Sequence, residues 1–277
     1  MTTITKAEQS LKDGDPNAAL KFLQEEVKAK PADAKLRTFL FQLLAVTGQW
    51  DRALNQLNVA AELDPAALAM AQMYREAIQC EVLRTEIFKG NKSPMIFGQP
   101  EQWLALLIES LLLTGQGKMK DAEKLRNQAF EEAPTTSGAI DGKSFNWIAD
   151  ADSRLGPVCE AIINGRYYWV PFSRITEITI TEPEDLRDVV WMPAHLRFEN
   201  GGESVALLPT RYAGSETNDD AAIMLARKTV WHEASADAFH GLGQRIFSTD
   251  EGDFSLMDIR SITLQPTDLE SVEQILG

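Results

Sequence analysis

Gly14, Ala19 and Pro31 recur as Gly48, Ala53 and Pro65, a shift of 34 residues, and again as Gly117, Ala122 and Pro134, a further 69 residues along. The internal offsets, five and then twelve, are the same in all three copies. No other feature of the 277-residue chain restricts its fold as tightly. A glycine that can take a turn, a small residue that lets two helix backbones approach, and a proline that cannot continue a helix together specify a helical hairpin.

A 34-residue hairpin with this punctuation is the tetratricopeptide pattern. The 69-residue gap leaves room for one degenerate unit, residues 68–102, whose first helix (LAMAQMYREAIQCEVLRTEIF) lacks the signature and whose second is largely replaced by GNKSPMIFGQP. Four units satisfy the rule that at least three must stack to form a continuous core. Within a unit the apolar spacing is helical: Leu36, Leu40, Leu43 and Leu44 before the turn, Leu54, Leu57, Ala60 and Ala61 after it. These positions read as packing residues. A stack of this kind offers a concave face lined by its first helices, suited to an extended peptide or a helix, and Gln42, Gln72, Glu76, Leu104 and Leu107 are expected along it. The fourth unit's EQWLALLIESLLLTG is apolar nearly all round, so that helix is either packed on both sides or partly offered to a partner.

Residues 1–135 are therefore expected to form an all-α, tetratricopeptide-like repeat domain, and residues 136–277 a mainly antiparallel α+β domain. The stretch TTSGAIDGKS reads as a linker. Beyond it, short β-branched and aromatic runs are divided by turn signals. CEAIINGRYYWVPF folds back at Asn164-Gly165, AHLRFENGGESVALLP at Asn200 to Gly202, and GQRIFSTDEGDFSLMDIR at Asp250 to Gly252. One helix is expected near Asp219 to Lys228, and a short one in the tail PTDLESVEQILG, capped by Thr267 or Asp268. Alternation places Tyr168 on one face of its strand and Tyr167 and Trp169 on the other, so at least one side is core.

The net charge of −14 is unevenly spread. Residues 1–135 hold 16 Lys+Arg against 18 Asp+Glu; residues 136–277 hold 11 against 23, with nine Arg and two Lys among the cations. Arg forms planar carboxylate pairs and tolerates partial burial, so this half is expected to carry internal ion pairs or an interface. Nucleic acid is a poor partner for such a surface. The longest unbroken apolar run is about six residues, as in Trp103 to Ile108, against the roughly twenty needed to span a bilayer. The first fifteen residues lack the apolar core of a signal peptide, and Cys80 and Cys159 have no Cys or His at metal-like spacing beside them. These features point to a soluble, cytoplasmic protein with reduced, buried thiols.

Catalytic chemistry finds little support. There is no G-x-S-x-G, and His195, His232 and His240 show no H-E-x-x-H spacing. GLGQR (241–245) lacks the third glycine of a phosphate loop and reads as a turn. Asp150 and Asp152 beside Arg154 could serve acid/base work on a small ligand; the simpler account makes them turn caps and partners for Arg154. No cofactor and no metal are expected.

Five blocks in order, DADSRLGPVCEAIINGRYYWVPFSRI, EDLRDVVWMPAHL, LLPTRYAGSE, ARKTVWHE and GLGQRIFSTDEGDFSLMDIRSI, resemble the ImpE/TagJ (SciE-type) accessory proteins of type VI secretion systems. The resemblance spans essentially the whole chain. It implies a cytoplasmic, non-enzymatic adaptor that binds the N-terminal helix of the small contractile-sheath subunit and so links the sheath, directly or indirectly, to a ClpV-type disassembly ATPase. It transfers no catalytic residue. The rival partner surface is the acidic half around Arg187, Trp191, Arg211 and Trp231; the rival functions are the small-ligand enzyme and a general repeat scaffold unrelated to secretion.

Overall fold

The computed structural model describes residues 5–235 and 237–266. Aspartates begin the early helices: Asp15 accepts the N–H of Ala18 ahead of α2, and Asp33 accepts those of Lys35 and Leu36 ahead of α3. The helical part runs α1 (Lys6–Lys12), α2 (Pro16–Ala29), α3 (Ala34–Val46), α4 (Trp50–Leu63), α5 (Leu68–Phe88), α6 (Gln102–Gly115) and α7 (Met119–Glu132). The helices α1 and α2, α3 and α4, and α6 and α7 pack as pairs. Each pair turns at one of the recurring glycines: Gly14, Gly48 and Gly117 have φ of 82°, 65° and 74°. The recurring Ala19, Ala53 and Ala122 are buried where the helices cross. The degenerate stretch departs from the pairing. Its first helix, α5, runs for 21 residues, and the chain after it supplies a two-residue strand in place of a second helix.

That strand, β1 (Met95–Ile96), joins a nine-stranded sheet made otherwise from β2 (Thr136–Ile140), β3 (Lys143–Phe145), β5 (Val158–Ile163), β6 (Arg166–Pro171), β7 (Ile175–Ile180), β8 (Trp191–Phe198), β9 (Glu203–Pro209) and β14 (Ser261–Pro266). The order is β1-β6-β5-β9-β8-β7-β14-β2-β3, antiparallel throughout except for β1 on β6. A hairpin of β10 (Thr229–Ser235) and β11 (Ala238–Gly243) and a three-stranded sheet β13-β12-β4, from Gly252–Ser255, Ile246–Thr249 and Ile148–Asp150, complete the strands. The fold is thus α+β. Hairpins fall at Asn164-Gly165, at Asn200 to Gly202 and at Asp250 to Gly252. The helix expected near Asp219 to Lys228 is one turn, α8 (Ala221–Met224). The tail helix expected after Pro266 lies outside the described residues.

One expectation is corrected. The linker-like TTSGAIDGKS is β2, a turn at Asp141-Gly142 and the start of β3. Its small polar side chains give no strand signal of their own; the pairing comes from β14, more than 120 residues away, with Ile262 opposite Ile140 and Leu264 opposite Gly138.

The sheet separates two apolar clusters. On one face Val158, Ile162, Tyr167, Trp169, Trp191 and Leu207 share a core with the helices. On the other, Cys159, Ala161, Val170, Met192 and Leu196 pack with Phe247, Leu256 and Ile259. Strand β5 is buried at all six positions. The face of the repeats at α3 and α5 is also occupied: the short 3₁₀ helix Leu186–Val189 packs on α3, and the Trp191 ring lies 6.1 Å from Trp50 of α4 and 5.5 Å from Tyr74 of α5. At α3 and α5 the trough expected to receive another chain is filled by the chain's own second half.

Equivalent glycines therefore meet different surroundings. A Cβ at Gly48 would lie 2.6 Å from Cγ of Glu216, whereas one at Gly117 meets nothing within 4 Å. Both have positive φ, which costs an L-residue about 1–2 kcal/mol. Gly117→Ala should lose about that much, and Gly48→Ala at least about 1 kcal/mol more because Glu216 must be displaced. Urea unfolding of the two variants measures the difference.

Candidate functional site

The carboxylates singled out in the sequence sit where β4 meets a tight turn. Asp150 Oδ1 accepts the N–H of Asp152 at 2.9 Å, and Asp152 Oδ1 accepts the N–H of Arg154 at 2.9 Å. Arg154 returns its Nε to Asp152 at 2.8 Å, and Asp152 Oδ2 accepts the N–H of Gly241 at 2.8 Å. The turn-cap account describes these bonds. Asp150 Oδ2 takes the guanidinium of Arg245, the last residue of GLGQR.

Arg245 leads into the centre of the molecule. Its second nitrogen pairs with Glu160 of β5, and Arg84 of α5 reaches the same carboxylate through Nε at 2.6 Å and Nη2 at 3.0 Å. The Tyr167 hydroxyl donates to Glu160 and accepts the indole N–H of Trp169 at 2.9 Å. Arg84 also meets Glu81 at 3.3 Å, whose other oxygen accepts the indole N–H of Trp191 at 3.2 Å. Burial alone would raise the Glu160 pKa, but Arg84 and Arg245 outweigh it and hold the group at about 2. For Asp150 burial wins over Arg245 and the carboxyl rises to about 7. Asp152, equally buried, stays below the ordinary range because Arg154 opposes the desolvation.

A pKa near 7 suits a general base, but a base needs a free oxygen facing a substrate. Asp150 is 3% exposed and both its oxygens are engaged. The arrangement holds charge in place and fastens α5 to the sheet. Among the described residues no group of His, Cys, Asp and Glu is placed to bind a metal ion. No helix among them is long and apolar enough to cross a membrane.

The expected partner residues are distributed between core and surface. Leu104 and Leu107 are 0% and 1% exposed, and Gln42 is buried, because α6 and α3 use several sides in packing. They are not on an open face. Gln72 and Glu76 do reach solvent, joined by a 2.6 Å hydrogen bond, on a groove between α5 and the sheet that they line with Met73, Ile162, Val205 and Leu207. The groove holds about 280 Å³; Met73 and Val205 are 43% and 64% exposed in it. A second groove of about 680 Å³ runs along α6, lined by Ile96, Ala105, Ile108 and Leu112, so the helix is both packed and partly offered.

On the rival surface, Trp191 is core and Arg211 is buried, donating to the carbonyls of Val46 and Met224. Arg187 lies over the Tyr74 ring at 5.0 Å and pairs with Asp185. Of the four only Trp231 is largely exposed, on β10 and 5.5 Å from the Tyr212 ring. Sequence reasoning passed over Glu160, Arg84 and Arg245. The available signal was a single acid inside the apolar run VCEAII, which a buried strand tolerates only with cations opposite.

The ImpE protein family profile matches residues 142–263. The chain is 50% identical over 262 residues to the type VI secretion system accessory component TagJ of Pseudomonas aeruginosa, covering 95% of this chain and 92% of that protein. The crystal structure of a Vibrio parahaemolyticus protein superposes with a TM-score of 0.87 at 26% identity, covering 96% of this chain and all of that one.

The Glu160 network sets a pH dependence. A carboxyl lowered from 4.5 to about 2 adds stability that is complete above pH 4.5 and is lost as pH falls toward 2. Glu160→Gln should cost about 3 kcal/mol near pH 7 by urea unfolding. The gap between wild type and variant should close as the pH is lowered through that window.

Proposed function

The chain belongs to the ImpE family, and we propose that it serves a type VI secretion system as a non-enzymatic accessory protein, an adaptor for the N-terminal helix of the small contractile-sheath subunit. The observation that carries this reading is 50% identity along 95% of the chain to an accessory component of such a system. A supporting observation is that the one acid/base signature, Asp150 with Asp152 and Arg154, is spent on internal bonds. Directly or through the sheath subunit the protein meets a ClpV-type ATPase, and it works in the cytoplasm. In this reading the helical pairs are divergent tetratricopeptide units, residues 1–135 and 136–277 are its two domains, and the second domain closes the concave face of the first.

With that face closed, the partner helix is assigned to the groove of Gln72 and Glu76. Met73 and Val205 offer apolar anchors and the two polar side chains form a rim. Two anchors at about 1.5 to 3 kcal/mol each, less the cost of association, supply only part of a binding free energy and leave the contact weak, which suits an adaptor that must release its partner.

Titration of a labelled peptide of the sheath subunit's N-terminal helix against wild type, Met73→Glu and Val205→Glu tests both parts. The expected result is binding by wild type and at least about tenfold loss in each variant, a difference of about 1.4 kcal/mol. Equal binding by folded variants moves the site elsewhere. No binding by wild type, together with failure to co-purify sheath subunits from native cells, overturns the adaptor reading.

A further inference from the structure

A third cavity, of about 390 Å³, opens between α7 and β4, away from the sheath-helix groove, with walls that include Phe130, Pro134, Trp147, Ala149, Pro157 and Ser248. Two features distinguish it from an accidental dent. Phe130 and Trp147 are left 37% and 40% exposed at its mouth, although aromatic rings of this size are the costliest side chains to leave in water. Phe130 is also seated firmly: a Cβ at Gly156 would lie 2.4 Å from its ring.

Exposed acidic side chains stand close to the cavity. Asn146, beside Trp147, donates its backbone N–H and its side-chain amide to the carboxylate of Asp250, at 2.8 and 2.6 Å. The hydroxyl of Ser248, in the wall, donates to Asp253 at 2.6 Å. Glu131 and Glu132 at the end of α7 and Glu251 on the β12–β13 turn are exposed, and no Lys or Arg lines the cavity. A surface of this kind is complementary to a chain that brings cations to the rim and an apolar side chain to the floor.

The wall is also a sheet edge. Strand β4 is terminal in its three-stranded sheet, pairing only with β12 there. The N–H of Ala151 goes to Ile246 of β12, while those of Asn146 and Asp150 on the other side go to Asp250 and Gly156, so the chain itself occupies the edge on both sides of Ile148.

From these observations we infer that the cavity between α7 and β4 is a docking site for a basic peptide segment of another protein, with an aliphatic side chain between Phe130 and Trp147 and lysines or arginines on the acidic rim. The site is independent of the sheath-helix groove, and a partner held in each would make the chain a bridge.

The probe is a fluorescein-labelled peptide, Lys-Lys-Leu-Leu-Lys-Lys, titrated against the full chain at low salt by fluorescence anisotropy. Saturable binding is expected, weakened at least tenfold by Trp147→Ala and rescued by Trp147→Phe, with unchanged thermal melting as the check on folding. The same peptide with Gly in place of Leu, or Glu in place of Lys, should also bind at least tenfold more weakly, and Trp147→Ala should leave sheath-helix binding unchanged. Equal binding of the glycine peptide reveals bulk charge attraction only, equal binding of the glutamate peptide an apolar site only, and unaltered affinity in a folded Trp147→Ala, Phe130→Ala double variant a different location; each overturns the inference. So does sedimentation showing a dimer that Trp147→Ala dissolves, since the occupant is then a second copy of this chain.

Discussion

Strand β5 is covered by helices on one face and by a second apolar cluster on the other, and a carboxylate stands in the middle of it. Moving such a group out of water costs several kcal/mol even after the protein relaxes, so Glu160 is tolerated only where cations and donors meet it. Arg84 comes from the helical layer, Arg245 from the approach to β12, and the Tyr167 hydroxyl from the adjacent strand. None of the three is next to another in sequence. Satisfying one carboxylate thus fixes the position of α5 on the sheet, and with it the groove that α5 forms with β9. The bond from Arg84 to the Arg211 carbonyl, and from the Arg211 guanidinium to the last carbonyl of α3, extend the same constraint to a second helix.

The preference for Arg over Lys in the second half follows from that architecture. A guanidinium can divide its donors between two carboxylates, as Arg245 does with Asp150 and Glu160, or between a carboxylate and a carbonyl, as Arg84 does. It can also lie on an aromatic face: Phe88 has Arg84 on it at 5.4 Å and Arg154 at 4.8 Å. A lysine has one charged atom to place and could perform either role but not both.

What could be read from the sequence was set by the range of each signal. Gly14, Gly48 and Gly117 stood out because a turn between two helices is a local event that one residue decides. The same holds for Asn164-Gly165 and the other hairpin turns. Thr136 to Ile140 could not be recognised as a strand, since its pairing depends on β14 at the far end of the chain. Leu104 and Leu107 were equally ambiguous: an all-round apolar helix does not say which side its neighbours take, and here the inner side took both. At the candidate site the composition pointed to internal ion pairs or an interface without naming the pairs, because which arginine reaches which carboxylate is settled only when distant segments meet. Asp150, Asp152 and Arg154 were found as a cluster by proximity alone, whereas Glu160 needed the fold.

The order in which these segments are made has a consequence for the cell. Some 160 residues separate Arg84 from Arg245, and at ordinary rates of translation the ribosome needs roughly ten to thirty seconds to add them. Glu160, Arg187 and Trp191 reach Arg84 and Tyr74 earlier in that interval, but the second cation on Glu160 arrives only with Arg245. The bonds around Glu160 can therefore close only after nearly the whole chain has been made.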